Sequence, residues 1–220
     1  MFKIQFFLKI VTCFKFLLYF CKLKIQNFCI YSLLMNILNI ILSSSRTVFT
    51  PQWLAMTCEE KERQSLRRSL IYYAKKGALL NPRKGIYTKP AYNEQEMACA
   101  LLKPSYISLE YVLARAGVTF QYSSDITCIS YQNRIIEVDK RSYVFRQINP
   151  KIWMNMAGIE QHDNIAIATP ERAFLDMLYL SSGQCYFDNL HPLKKNLIRQ
   201  ILPVYNSQIL TKRVETLLNL

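Results

Sequence analysis

Glycine is scarce. The five in this 220-residue chain, Gly77, Gly85, Gly117, Gly158 and Gly183, stand far apart. A loop that wraps a phosphate needs closely spaced glycines whose bare backbone can approach the ligand, so nucleotide-binding loops of that kind are excluded. Histidine is scarcer still: His162 and His191 are solitary in polar, loop-like surroundings, which argues for surface residues over metal ligands. The seven cysteines include no C-x-x-C pair and are odd in number. They read as free thiols in a reducing compartment, without a zinc site or disulfide framework. No G-x-S-x-G elbow supplies a nucleophile. A D…E-x-K nuclease pattern tested at Asp125 and Glu137 fails, because Asp139 stands where the lysine belongs. The expectation is a protein that is not an enzyme, with no cofactor and no metal.

Acidic residues are absent altogether from residues 1–34, which carry five lysines, and so are Gly, Ala, Pro and Arg. Phe, Lys, Ile, Leu, Tyr and Asn, residues with AT-rich codons, dominate this stretch, so it reads as upstream DNA translated in frame, with Met35 as the true start. The alternative is an apolar, lysine-flanked membrane anchor or interfacial helix. A signal peptide fits poorly, since Lys9, Lys15, Lys22 and Lys24 interrupt the apolar core and no A-x-A site follows.

What is present is positive charge, unevenly placed. Ten basic residues face three acidic ones in 35–90, against thirteen and twelve in 91–220. A basic segment beside a nearly neutral one points to a polyanion as partner, either nucleic acid or an anionic membrane surface. Half the residues are hydrophobic, enough for a real core.

The basic segment has its own pattern. Ile37, Ile40, Ile41 and Leu42 recur at helical spacing and stop at Ser43–Ser45. Thr50 followed by Pro51 opens a second short helix carrying Trp53, Leu54 and Met56. Past the acidic Glu59, Glu60 and Glu62, an apolar stripe of Leu66, Leu70, Tyr73 and Ala74 marks a third helix ending at Gly77. Ala78–Leu80 then reads as a strand, Asn81–Gly85 as a basic turn, and Ile86–Thr88 as the return strand. Three helices followed by a basic hairpin spell a winged helix-turn-helix over 35–90. A step of 100° per residue places Gln64, Arg68, Tyr72 and Lys75 opposite the apolar stripe, with Arg67 to one side. Gln and Arg can pair bidentately with adenine and guanine, while Lys75 suits a phosphate; Arg83 and Lys84 would reach the flanking backbone or minor groove.

Residues 91–220 predict a mixed α+β domain. Asn93 caps a helix to Leu102, and Ser108 caps another from Leu109 to Ala116. Ile126–Ser130, Arg134–Val138 and Ser142–Ile148 read as an antiparallel meander, with Ile165–Ala168 a fourth strand. Thr169 and Pro170 start a helix to about Leu180, and helices over Pro192–Leu202 and Ile209–Leu218 follow. In the Thr169 helix, Arg172 and Asp176 are four apart, the spacing of an ion pair that pins a helix without further function.

Three blocks together resemble a family: LRRSLIYYAKKGALLNPRKGIY (Leu66 to Tyr87), ISLEYVLARAGV (Ile107 to Val118) and IAIATPERAFLDMLY (Ile165 to Tyr179). In this order they are similar to AbiEi-type antitoxins, the last block having Phe174 where the family pattern carries an aliphatic residue. The likeness spans Met35 to the C-terminus, and residues 1–34 have no counterpart in it. It implies a cytoplasmic autorepressor that binds operator DNA of its own operon. It also implies the antitoxin of a type IV abortive-infection pair, whose C-terminal domain opposes a neighbouring nucleotidyltransferase toxin without a stable complex. Two other readings stay open: a regulator without an antitoxin role, and a membrane-associated protein held by its first residues. A pure protein-interaction module is a third.

Overall fold

The computed structural model describes residues 37–57, 63–121, 123–181 and 185–218. The acidic run Glu59, Glu60 and Glu62, and the segment 1–34, lie outside them. The fold is mixed α+β. By contacts the chain divides into two compact units, one holding the first helices through Tyr73 and the other holding Arg46–Thr50 with Ala74–Leu220. The boundary expected near residue 90 falls inside the second of these.

The first unit contains helix α1 over 37–43, α2 (Pro51–Thr57) and α3 (Arg63–Lys75), the last running on into the second unit. α1 closes with the Ser44 amide on the Ile40 carbonyl. Proline at the first position of α2 lacks an amide that would have had no helical partner anyway. Buried here are Ile37, Ile41, Leu54, Leu66, Leu70 and Tyr73. Of the residues that α2 carries, Leu54 is buried and Met56 is exposed.

In the second unit β1 (Val48–Phe49), β2 (Leu80–Arg83) and β3 (Ile86–Thr88) make a three-stranded sheet in the order β1-β3-β2. The hairpin differs from expectation. Asn81, Pro82 and Arg83 are strand residues, Ala78 and Leu79 precede the strand, and the turn is only Lys84–Gly85. Proline is tolerated because β2 is an edge, where the missing amide faces no partner. Gly85 has φ +83°, a conformation that costs a residue with a Cβ but not glycine. β1 was not legible: at two residues it exists only because β3 pairs with it. A buried carboxylate holds the chain there. Glu96 accepts from the Thr47 amide at 2.7 Å, the Thr47 hydroxyl at 2.6 Å and the Val48 amide at 3.0 Å.

The rest of this unit is a six-stranded sheet. α4 (Glu94–Leu101) starts at Asn93, whose side chain accepts from the Gln95 amide at 2.8 Å as expected. β4 (Ser105–Ile107) leads to α5 (Glu110–Arg115). Leu109, not Ser108, precedes that helix, and the Ser108 hydroxyl turns into the core instead. Then come β5 (Ile126–Ser130), β6 (Arg134–Val138), β7 (Arg141–Gln147), a short α6 (Pro150–Trp153), β8 (Ile159–His162) and β9 (Ile165–Ala168). The sheet order is β6-β7-β5-β4-β9-β8. The meander is therefore corrected: β7 lies between β6 and β5 and runs parallel to β5. All five residues of β5 are buried, so both of its faces are covered, and its two edges pair with β4 and β7. β4, α6 and β8 carry no sequence signal strong enough to be expected. α7 (Pro170–Leu180) begins as read, the Thr169 hydroxyl accepting from the Arg172 amide at 3.3 Å. α8 is shorter than expected (Lys195–Ile201), continuing as a 3-10 turn over Leu202–Tyr205 before α9 (Gln208–Leu218).

Candidate nucleic-acid interface

α3 has two sides of opposite character. Leu66, Leu70 and Tyr73, at spacings of four and three, are 1%, 0% and 7% exposed. Gln64, Arg67, Arg68, Tyr72 and Lys75, all expected on the other side, are exposed without exception. The stripe that hides the first set fixes the direction of the second, because successive side chains are 100° apart round one axis. Tyr72 also meets the Tyr73 ring edge to face at 5.5 Å, which ties an exposed phenol to a buried one.

The hairpin offers less than the sequence suggested. Lys84 is exposed at the turn, whereas Arg83 sits in β2 opposite Ile86 and is half-buried. Only one cation therefore occupies the turn itself. With planar guanidinium forks, Arg67 and Arg68 can bridge phosphate oxygens or the O6/N7 edge of guanine, and the Gln64 amide can both donate and accept at adenine. Lys75 and Lys84, both exposed, carry compact point charges of the kind that can pair with phosphate.

The second unit holds a different polar cluster that sequence reasoning only partly caught. Arg172 and Asp176 do pair, but both side chains are fully shielded. Asp176 also accepts from the Tyr106 hydroxyl at 3.0 Å, the Ser108 hydroxyl at 2.8 Å and the Tyr205 hydroxyl at 2.6 Å. Arg172 donates to the Ile152 and Ala157 carbonyls at 2.8 Å each. Burial, then the Asp176 charge, holds the Tyr106 and Tyr205 phenols well above the usual tyrosine range. Every donor and acceptor is spent inside the fold, so the cluster fastens α7 to the sheet. The available signal was that Asp176 lies among Phe174, Leu175, Met177 and Leu178, where a carboxylate must be satisfied internally.

The remaining candidates separate. Asp125 is half-buried before β5 and Glu137 exposed on β6. His162 lies on strand β8, not in a loop, at 3.0 Å from Glu160, while His191 is exposed beyond α7. Among the described residues no three His, Cys, Asp or Glu side chains converge as metal ligands. Cys99 and Cys128 are buried and Cys185 half-buried, all as free thiols; Cys13, Cys21, Cys29 and Cys58 fall outside the described residues. Among the described residues no helix is long and apolar enough to cross a membrane. Set against models of known protein families the chain matches none, and no curated protein matches it at a significant level.

Proposed function

We propose that this protein is a DNA-binding autorepressor, cytoplasmic, whose residues 35–90 act as a winged helix-turn-helix. The chain order helix, strand, helix, helix, strand, strand, with the last strand between the other two, supports that reading. The observation that carries it is the exposure of Gln64, Arg67, Arg68, Tyr72 and Lys75 along α3 while Leu66, Leu70 and Tyr73 are buried. A recognition helix needs that division: its apolar side fixes it to the protein, and its donors meet base edges and phosphates. Arg83 and Lys84 supply further backbone contacts. The resemblance in three sequence blocks extends the proposal to an antitoxin that opposes a neighbouring nucleotidyltransferase toxin, with residues 91–220 as the opposing domain. No cofactor or metal enters this function.

Fluorescence anisotropy with the DNA upstream of its own coding sequence tests the repressor role. Binding is expected at low salt and should weaken steeply as salt rises, because neutralised phosphates release counterions. Equal affinity for unrelated DNA at every salt concentration would remove the operator claim, and no binding at low salt would remove the DNA claim. Co-expression with the adjacent toxin tests the antitoxin role through growth; growth arrest unaltered by this protein would end it.

A further inference from the structure

The six-stranded sheet ends in β8, whose outer edge has no strand beside it among the described residues. Its hydrogen-bonding direction follows from the pairing. Ile159 faces Ala168, Gln161 faces Ala166, and just before the strand the Thr169 amide donates to the Gly158 carbonyl at 2.8 Å. In an antiparallel ladder the residues that bond the neighbour alternate with those that face away, so 158, 160 and 162 bond β9 while 159 and 161 face outward. The outward Ile159 amide is already taken by the Met156 carbonyl at 3.0 Å. The amide and carbonyl of Gln161 are thus the middle of an open edge.

Side chains alternate across this edge. Ile159 and Gln161 line a groove of about 320 Å³ with Trp153, Met154 and Met156, the two methionines being 72% and 57% exposed. Glu160 and His162 line the opposite groove, of about 370 Å³, with Arg115 and Val112. Edges that must stay single are usually guarded by like charges, lysine or proline. β8 has none of these. Its two ionisable groups are of opposite type, two residues apart on one face, and close enough to touch at 3.0 Å.

We propose that β8 is a self-association edge, on which a second copy of this chain adds its own β8 antiparallel across a twofold axis through Gln161. In that register the two Gln161 residues exchange both amide-to-carbonyl hydrogen bonds. Glu160 of each copy then falls opposite His162 of the other, in the non-hydrogen-bonded position where side chains approach most closely. Isologous contacts require a surface complementary to itself, and a carboxylate and an imidazole placed symmetrically about Gln161 meet that condition. The other free edge does not. β6, paired about Ile136, would set exposed Ile135 against Glu137. The exposed Met154 and Met156 beside β8 add apolar area for the second copy to cover. This inference concerns the second unit alone and stands independently of DNA binding.

Sedimentation velocity on the full chain over a range of concentrations tests it. The unaltered protein is expected to reach a dimer. Gln161→Pro, which deletes both central hydrogen bonds, should yield a monomer with an unchanged far-UV circular dichroism spectrum. His162→Glu brings a second carboxylate opposite Glu160 in two symmetric places and should weaken the dimer about tenfold. The double exchange Glu160→His with His162→Glu should restore it. If Gln161→Pro proves unfolded, the single and double charge variants decide the matter alone. A protein that stays monomeric, a dimer indifferent to His162→Glu, or a double exchange that fails to recover association would each overturn the proposal.

Discussion

The Nε of Arg172 donates to Oδ1 of Asp176 across 3.2 Å, one turn further along α7, and neither side chain has any exposed surface. Asp176 is moreover held by three hydroxyls and Arg172 by backbone carbonyls from the segment around α6. A buried ion pair taken as a whole contributes little net stability, since desolvation offsets attraction, but half of one is costly.

Arg172→Leu or Asp176→Leu alone should therefore destabilise the fold by about 3–5 kcal/mol, each leaving an uncompensated buried charge. The double variant should cost distinctly less than the sum of the singles. Urea denaturation of all three proteins supplies the cycle; additive losses would show that the pair does not act as a unit.

High pH should unfold the protein through the same cluster. Tyr106 and Tyr205 have folded-state pKa values raised by burial and by the Asp176 charge. Their contribution is complete below the unfolded tyrosine value of about 10 and is lost as pH climbs from there toward the folded values. Above about pH 10 the unfolded state binds fewer protons, and stability should fall by up to about 2.7 kcal/mol per pH unit for the two phenols together. Urea midpoints at pH 9, 10 and 11 measure the slope, and replacing both tyrosines by Phe should reduce it, while the raised Tyr92 and Tyr143 phenols keep part of it.

Two glycines of positive φ should respond differently to alanine. At Gly85 an added Cβ meets nothing within 4 Å, so only the backbone conformation opposes it, and Gly85→Ala should cost about 1–2 kcal/mol. At Gly158 the Cβ would stand 2.7 Å from Ile201 Cδ1 and 2.9 Å from Arg172 Cβ. Overpacking of about 1–3 kcal/mol adds to the conformational cost there, so Gly158→Ala should lower the thermal midpoint clearly more.

Because Arg67 and Arg68 are exposed, changing both to Ala should leave thermal stability within about 0.5 kcal/mol of the parent. If both touch phosphate, the slope of log affinity against log salt should fall by about 1.8. Gln64→Ala should instead cost about 1–3 kcal/mol at one base position and leave the slope unchanged. Titrations on the upstream DNA at several salt concentrations separate the two kinds of loss.

The sequence by itself determined the local elements. Leu66, Leu70 and Tyr73 at helical spacing, Thr169 before Pro170, Asn93 before Glu94 and Gly85 in a turn all act within a few residues of themselves, so their meaning survives without knowledge of the fold. The exposed side of α3 was legible for the same reason, since one buried stripe fixes the rest of a helix. Tertiary structure decided which strands are neighbours. Period-two alternation tells which face a residue takes but not which strand it bonds, so β5 beside β7, the two-residue β1 and the open edge at β8 were beyond it. It also decided what became of the buried charges, because Asp176 finds Tyr106 and Glu96 finds Thr47 across long stretches of chain. A carboxylate withdrawn from water must be satisfied by whatever donors the fold brings to it, and nothing local names them.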